Sequence, residues 1–228
     1  MAVRKLVLFD IDGTLLHSMG ATRLSNALAI QDAFGLEIDI TKHPFGGKTD
    51  WQILREVLEP HGLNRDDIGL KMAAYEAAFA QRLGAVIADF DVTVLPGALD
   101  VVNELHARED IMIGLVTGNT SLTAPIKLLA AGFDPTVFVV GAFGSESDDR
   151  NALPRIALDR AIAFSGQDIL PQDVIIVGDT VKDVDCARAL GAVVVTVFTG
   201  FEKRENLINA RPDYLLDDLT QFLVNVPL

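Results

Sequence analysis

Asp10 and Asp12 stand two residues apart at the end of the apolar run Leu6-Val7-Leu8-Phe9. Positions two apart on a strand share a face. Two carboxylates placed so repel each other unless a cation or a shared proton lies between them. Gly13 and Thr14 then turn the chain sharply away. A purely structural reason for such a pair is hard to find, so the pair points to chemistry, and first to a metal-dependent enzyme. Two further polar groups follow apolar runs: Thr117-Gly118-Asn119-Thr120 after Ile111 to Val116, and Gly178-Asp179-Thr180 after Val174 to Val177, with Asp183 one helical turn later. Taken singly, Asp179 or Asp183 reads as a helix cap and Thr117-Gly118-Asn119 as a turn. Taken together, three strand ends deliver small polar or acidic groups to one edge, where open parallel sheets bind their ligands.

The elements that must hold these residues are legible as buried runs. Lys5 to Phe9, Ile111 to Val116, Val137 to Val140, Val174 to Val177 and Val193 to Phe198 are near-continuous Val, Ile and Leu, as buried parallel strands are. Between them the spacing predicts helices over Ala98 to Arg108, Leu122 to Ala131, Leu153 to Phe164 and Val181 to Leu190, several stopped by glycine. The pattern is α/β: a parallel sheet with helices on both faces. From about Ser18 to Ala88 no strand is expected, only helical stretches over Ala21 to Phe34, Thr49 to Glu59 and Asp66 to Ile87. This insertion reads as an all-α unit of its own, residues 18–91, set into a core made of residues 1–17 and 92–228. Asp91 to Gly97 reads as the returning linker, and the tail from Pro212 as a last short strand and a closing helix.

Half of the 228 residues are hydrophobic, ample for such a core. No stretch of about 18 apolar residues occurs, so no membrane span is expected. The single cysteine, Cys186, excludes an intramolecular disulfide and suits a reducing, cytoplasmic setting. A net charge of −13 argues against a nucleic-acid or anionic-membrane partner. It permits a small phosphorylated metabolite, because a metal and a few basic groups can reverse the potential inside one cleft.

Asp10-Ile11-Asp12-Gly13-Thr14-Leu15, Thr117-Gly118-Asn119 and Gly178-Asp179-Thr180-Val181-Lys182-Asp183 resemble, in order, the first, second and fourth motifs of the haloacid dehalogenase-like hydrolase superfamily. The helical insertion resembles the cap of its phosphoglycolate phosphatase-like branch. The resemblance implies a Rossmann-like core and phosphoryl transfer through a covalent aspartyl phosphate. Asp10 would be the nucleophile, and Asp12 the acid and then the base. Magnesium would be held by Asp10, Asp179 and the Asp12 backbone carbonyl, with Asp183 binding it directly or through a water. Thr117 and Gly118 would hold the phosphoryl oxygens, and Ile11 and Asn119 complete the substrate-binding set. The third motif departs from the family, which places a lysine there: Gly144 to Arg155 has none. Arg150, just ahead of the helix, is the expected replacement, and Arg155 is its rival. The carboxylate at Asp12 favours a phosphatase or phosphomutase over a dehalogenase, since a leaving alkoxide must be protonated.

In the insertion, His43-Pro44-Phe45-Gly46-Gly47-Lys48-Thr49-Asp50 offers a flexible approach to the ligand and a cation, Lys48, or else a helix start capped by Thr49 or Asp50. His17 and Ser18 are expected at the entrance, while His61, Trp51 and Cys186 read as loop, packing and core residues. The expected activity is a magnesium-dependent phosphatase acting on a small phosphorylated metabolite. A β-phosphoglucomutase-like mutase and a catalytically silent binding protein are the alternatives. A monomer and a homodimer fit equally.

Overall fold

The computed structural model describes residues 3–228. The chain runs β1 (Lys5–Phe9), β2 (Leu16–His17), α1 (Met19–Phe34), α2 (Asp50–Leu58) and α3 (Arg65–Val86). It continues through β3 (Thr93–Val94), α4 (Ala98–His106), β4 (Ile111–Val116), α5 (Thr123–Ala130), β5 (Val140–Ala142) and α6 (Leu153–Ser165). Then come β6 (Val174–Gly178), α7 (Val181–Leu190), β7 (Val193–Val197), α8 (Arg204–Ala210), β8 (Tyr214–Leu216) and α9 (Phe222–Asn225). Six strands form one parallel sheet in the order β5-β4-β1-β6-β7-β8. β1 lies at its centre, so the end of β1 meets the ends of β4 and β6 on either side.

Period-two alternation decides which helix covers which face. Val7, Phe9, Ile113, Leu115, Ile175 and Val177 pack with α4, α5 and the C-terminal Leu219 and Phe222. Leu6, Leu8, Met112, Val116, Val174 and Ile176 point the other way and pack with α6 and α7. The sheet is thus covered on both faces by helices, and its strands are buried nearly throughout.

The inserted helices α1, α2 and α3 build a core of their own around Ile30, Leu54, Tyr75, Phe79 and Leu83. Asn26 donates to the buried Tyr75 hydroxyl at 2.9 Å, which gives the phenol a partner inside this core. The chain leaves the sheet through β2 and returns through β3, and these pair antiparallel with Leu16 opposite Val94. This ribbon was not expected from sequence, since two residues per strand carry no periodicity.

One strand is displaced from its expected place. The run Val137 to Val140 was expected to be a strand, but β5 begins only at Val140. Asp134 accepts from the Thr136 N–H, and Pro135 opens a 3₁₀ turn that extends to Val137. Cap and proline together draw the front of the apolar run into a turn.

Candidate active site

Asp10 follows β1 directly, and its N–H still donates to the Val177 carbonyl, which seats it beside the end of β6. Asp179 follows β6, and Asp183 lies on the first turn of α7. All three are buried, and their carboxylate oxygens come within 4.8 Å of one another. Asp179 is held by the Thr14 hydroxyl, which donates at 3.1 Å. A Cβ at Gly200 would collide with the same carboxylate, so only glycine lets the loop pass. Asp183 accepts from the Thr180 N–H and hydroxyl at 2.9 and 2.7 Å, locking the start of α7.

Arg150 enters this group from the loop before α6. It is 4% exposed and meets Asp10 at 3.0 Å and Asp183 at 2.5 Å. Arg155, its rival in the sequence, lies on the outer face of α6 and pairs with Asp159. One arginine does not balance three buried acids. Burial, offset in part by Arg150 and reinforced by Asp183, pushes Asp10 up to about 6. Burial, and then repulsion from Asp183 and Asp10, drives Asp179 well above the carboxylate range. An oxygen-only, over-acidic, buried cluster suits a hard divalent cation, and the three aspartates can coordinate one.

Asp12 belongs to a different group. β1 ends at Phe9, so the shared face expected for Asp10 and Asp12 gives way to a turn. The Asp12 side chain is not among the clustered oxygens. Lys127 donates to Asp12 Oδ2 at 2.6 Å and to Asn119 Oδ1 at 2.5 Å. Asn119 donates to Asp12 Oδ2 and to the Thr117 hydroxyl, both at 2.8 Å, and Ser18 donates to Asp12 Oδ1 at 3.0 Å. Burial works against the Asp12 charge, but Lys127, Asn119 and Ser18 outweigh it and hold the group below the usual range. The like-charge problem posed by Asp10 and Asp12 is therefore met partly by two cations of the chain itself.

Lys127 was missed in the sequence. It lies three residues after Ala124 and one before Leu128, both buried on α5. A lysine on the core stripe of a helix was the signal. Ile11 sits differently from a ligand contact: its side chain is fully buried in the core beside the sheet, and its backbone N–H serves the Asp10 carboxylate.

The cap docks through the N-terminus of α2. The Asp50 N–H donates to the Gly118 carbonyl at 2.8 Å and the Trp51 N–H to the Gly144 carbonyl at 2.9 Å. The Asp50 carboxylate accepts from the Thr120 N–H at 3.0 Å. Burial, and next the neighbouring Asp12 and Glu76 against the pull of Lys127, pushes Asp50 up to about 7. Thr49 is the cap of α2, accepting from the Gln52 N–H at 3.0 Å. Lys48 is mostly buried at the wall of the cavity, its ammonium paired with Glu56 at 2.5 Å. His17 also lines the cavity, its ring 4.9 Å from that of the exposed Phe201. Trp51 packs in the cap core, His61 is exposed, and Cys186 is buried with its thiol pushed up to about 12, mainly by burial. The cavity holds about 610 Å³ between cap and core, with the acids on its wall.

The family model for haloacid dehalogenase-like hydrolases matches residues 4–191. The chain is 27% identical over 219 residues to a phosphoglycolate phosphatase of Synechococcus elongatus, covering 95% of this chain and 94% of that one. It is 30% identical over 208 residues to a phosphoglycolate phosphatase of Rhodospirillum rubrum, covering 87% and 81%. Its fold matches that of CbbY from Rhodobacter sphaeroides, solved in complex with phosphate, with a TM-score of 0.68, 20% identity and 96% of each chain covered.

Proposed function

The chain belongs to the haloacid dehalogenase-like hydrolases, and from that premise we propose that it is a magnesium-dependent phosphatase cleaving small phosphate monoesters, with phosphoglycolate as the preferred substrate. One observation carries this reading: two carboxylates of the same loop are kept in separate company. Asp10 stands in the acidic cluster with Arg150, while Asp12 is held apart by Lys127. A nucleophile and a proton carrier need that separation.

Asp10 attacks phosphorus through a carboxylate oxygen, and the bond to the leaving oxygen breaks. Asp12, ionised in the free protein, takes up a proton as substrate binds and gives it to the leaving alkoxide. Water then attacks the aspartyl phosphate: a new O–P bond forms, the Asp10 O–P bond breaks, and Asp12 takes the proton of the water. That proton replaces the one given to the alkoxide, so the cycle closes on alcohol and inorganic phosphate. Arg150 and the Gly118 amide stabilise the phosphoryl oxygens, with the Thr117 hydroxyl beside them. Magnesium, held by Asp10, Asp179 and the Asp12 carbonyl with support from Asp183, would neutralise charge that Arg150 alone cannot. The cap encloses the reaction, and Lys48 at the cavity wall would meet the carboxylate of phosphoglycolate by exchanging its Glu56 partner for it. The relatives named phosphoglycolate phosphatases support that substrate.

The test is phosphate release from a panel of monoesters, with magnesium and with chelator. Phosphoglycolate should lead the panel, and Asp10→Asn should abolish turnover. Arg150→Ala should lose about 100-fold or more, as removal of a charge-stabilising donor does. Arg155→Ala, on the exposed face of α6, should match wild type. Full turnover in Asp10→Asn would overturn the reading, and full turnover in Arg150→Ala would remove that residue from it.

A further inference from the structure

Lys127 is fully buried, yet every hydrogen bond of its ammonium goes to the site: 2.6 Å to Asp12 and 2.5 Å to Asn119. The neighbouring inward positions of α5, Ala124 and Leu128, pack in the apolar core. A leucine or methionine at 127 would continue that packing without the cost of burying an ammonium. Stability alone therefore gives no reason for a lysine here. Its partners give one. Asn119 is tied to Thr117 and Asp12 together, and Ser18 holds the other Asp12 oxygen from the start of the cap. Three donors from three elements fix one carboxylate that is itself partly open to the cavity.

We infer that Lys127 is a positioning residue for the second half of the reaction, aiming the Asp12 carboxylate and Asn119 at the place from which water attacks the aspartyl phosphate. This rests on the phosphatase reading above. The hydrogen bonds of the Lys127 ammonium go to Asp12 and Asn119. It acts by fixing the group that takes the proton of the water, so its loss should slow hydrolysis of the intermediate and spare its formation.

A substrate whose leaving group needs no proton separates the two halves, and 4-nitrophenyl phosphate is one. In rapid mixing with magnesium, Lys127→Met should release a burst of nitrophenolate approaching one per site, at a rate within about threefold of wild type. Steady turnover should then be about 100-fold slower, the usual range for a mispositioned general base. Asp12→Asn should show the same burst. The double variant Asp12→Asn/Lys127→Met, in which the whole buried ion pair is gone, should turn over as Asp12→Asn does. It also serves if the single lysine variant fails to fold, because no unpaired buried charge is left. A burst phase slowed as much as the steady phase, or a double variant well below Asp12→Asn, would show Lys127 acting on substrate or on the fold, and would overturn the inference. If Asp10→Asn still gave a burst, the phosphatase reading would fall first and this inference with it.

Discussion

Asp50 is a carboxylate that the fold holds against its preference for charge. It is 5% exposed, and the carboxylate accepts from the Thr120 N–H. Its folded value of about 7 lies above the ordinary value of 3.8. Between those two values the folded chain binds a proton that the unfolded chain releases, so stability falls as pH rises and the penalty is complete above pH 7. Asn at this position keeps an oxygen for Thr120 and cannot ionise. Asp50→Asn should therefore stabilise the protein at pH 8 by a few kcal/mol, about 4 at most from the size of the shift. The gain should vanish near pH 4. Urea unfolding midpoints at the two pH values measure it, and an equal effect at both would contradict the assigned cause.

The docking of α2 turns a residue property into a property of an element. The first amide groups of this helix have no partners within it, and two of them are spent on the Gly118 and Gly144 carbonyls of the core. A Cβ at Gly118 would strike the Lys48 carbonyl oxygen, so only glycine lets the cap approach. Gly118→Ala should leave the sheet intact but lift α2 away. Hydrogen exchange at the Asp50 and Trp51 amides should speed up, and kcat/KM should drop by about tenfold or more, as small displacements in a site do. Unchanged exchange would mean the cap does not depend on this contact. At the same scale, sequence and structure part company for physical reasons. β1 and β4 match their apolar runs from end to end, because strands buried on both faces leave no polar interruption. β5 does not, because a capped proline turn outweighs the apolar character of Val137. The acids Asp10, Asp179 and Asp183 stand out in the sequence because each closely follows a buried strand. Lys127 does not, because a single cation in a helix reads as surface until its neighbours on the same stripe are known to be inside.

At the scale of the molecule, the site joins distant parts of the chain. Asp10 follows β1 near one end of the sequence, and Asp179 follows β6 far downstream, brought together only by parallel pairing of those strands. A cation held between them would bind the folded chain and not the unfolded one, so magnesium should raise stability by mass action. At ten times its dissociation constant the gain is about 1.4 kcal/mol, which for a domain of this size corresponds to ~3–5 °C in Tm. The chain also carries a net charge of −13, so any divalent salt relieves some general repulsion. The two effects separate in Asp179→Asn. Without metal this variant should be more stable than wild type, because one of the buried, mutually repelling acids is gone. With magnesium it should gain only what sodium chloride of equal ionic strength gives, while wild type gains the additional few degrees. Thermal unfolding of both proteins in chelator, magnesium and matched salt decides the matter. An equal magnesium shift in the two would place the ion elsewhere on the acidic surface and leave the cluster to Arg150 alone.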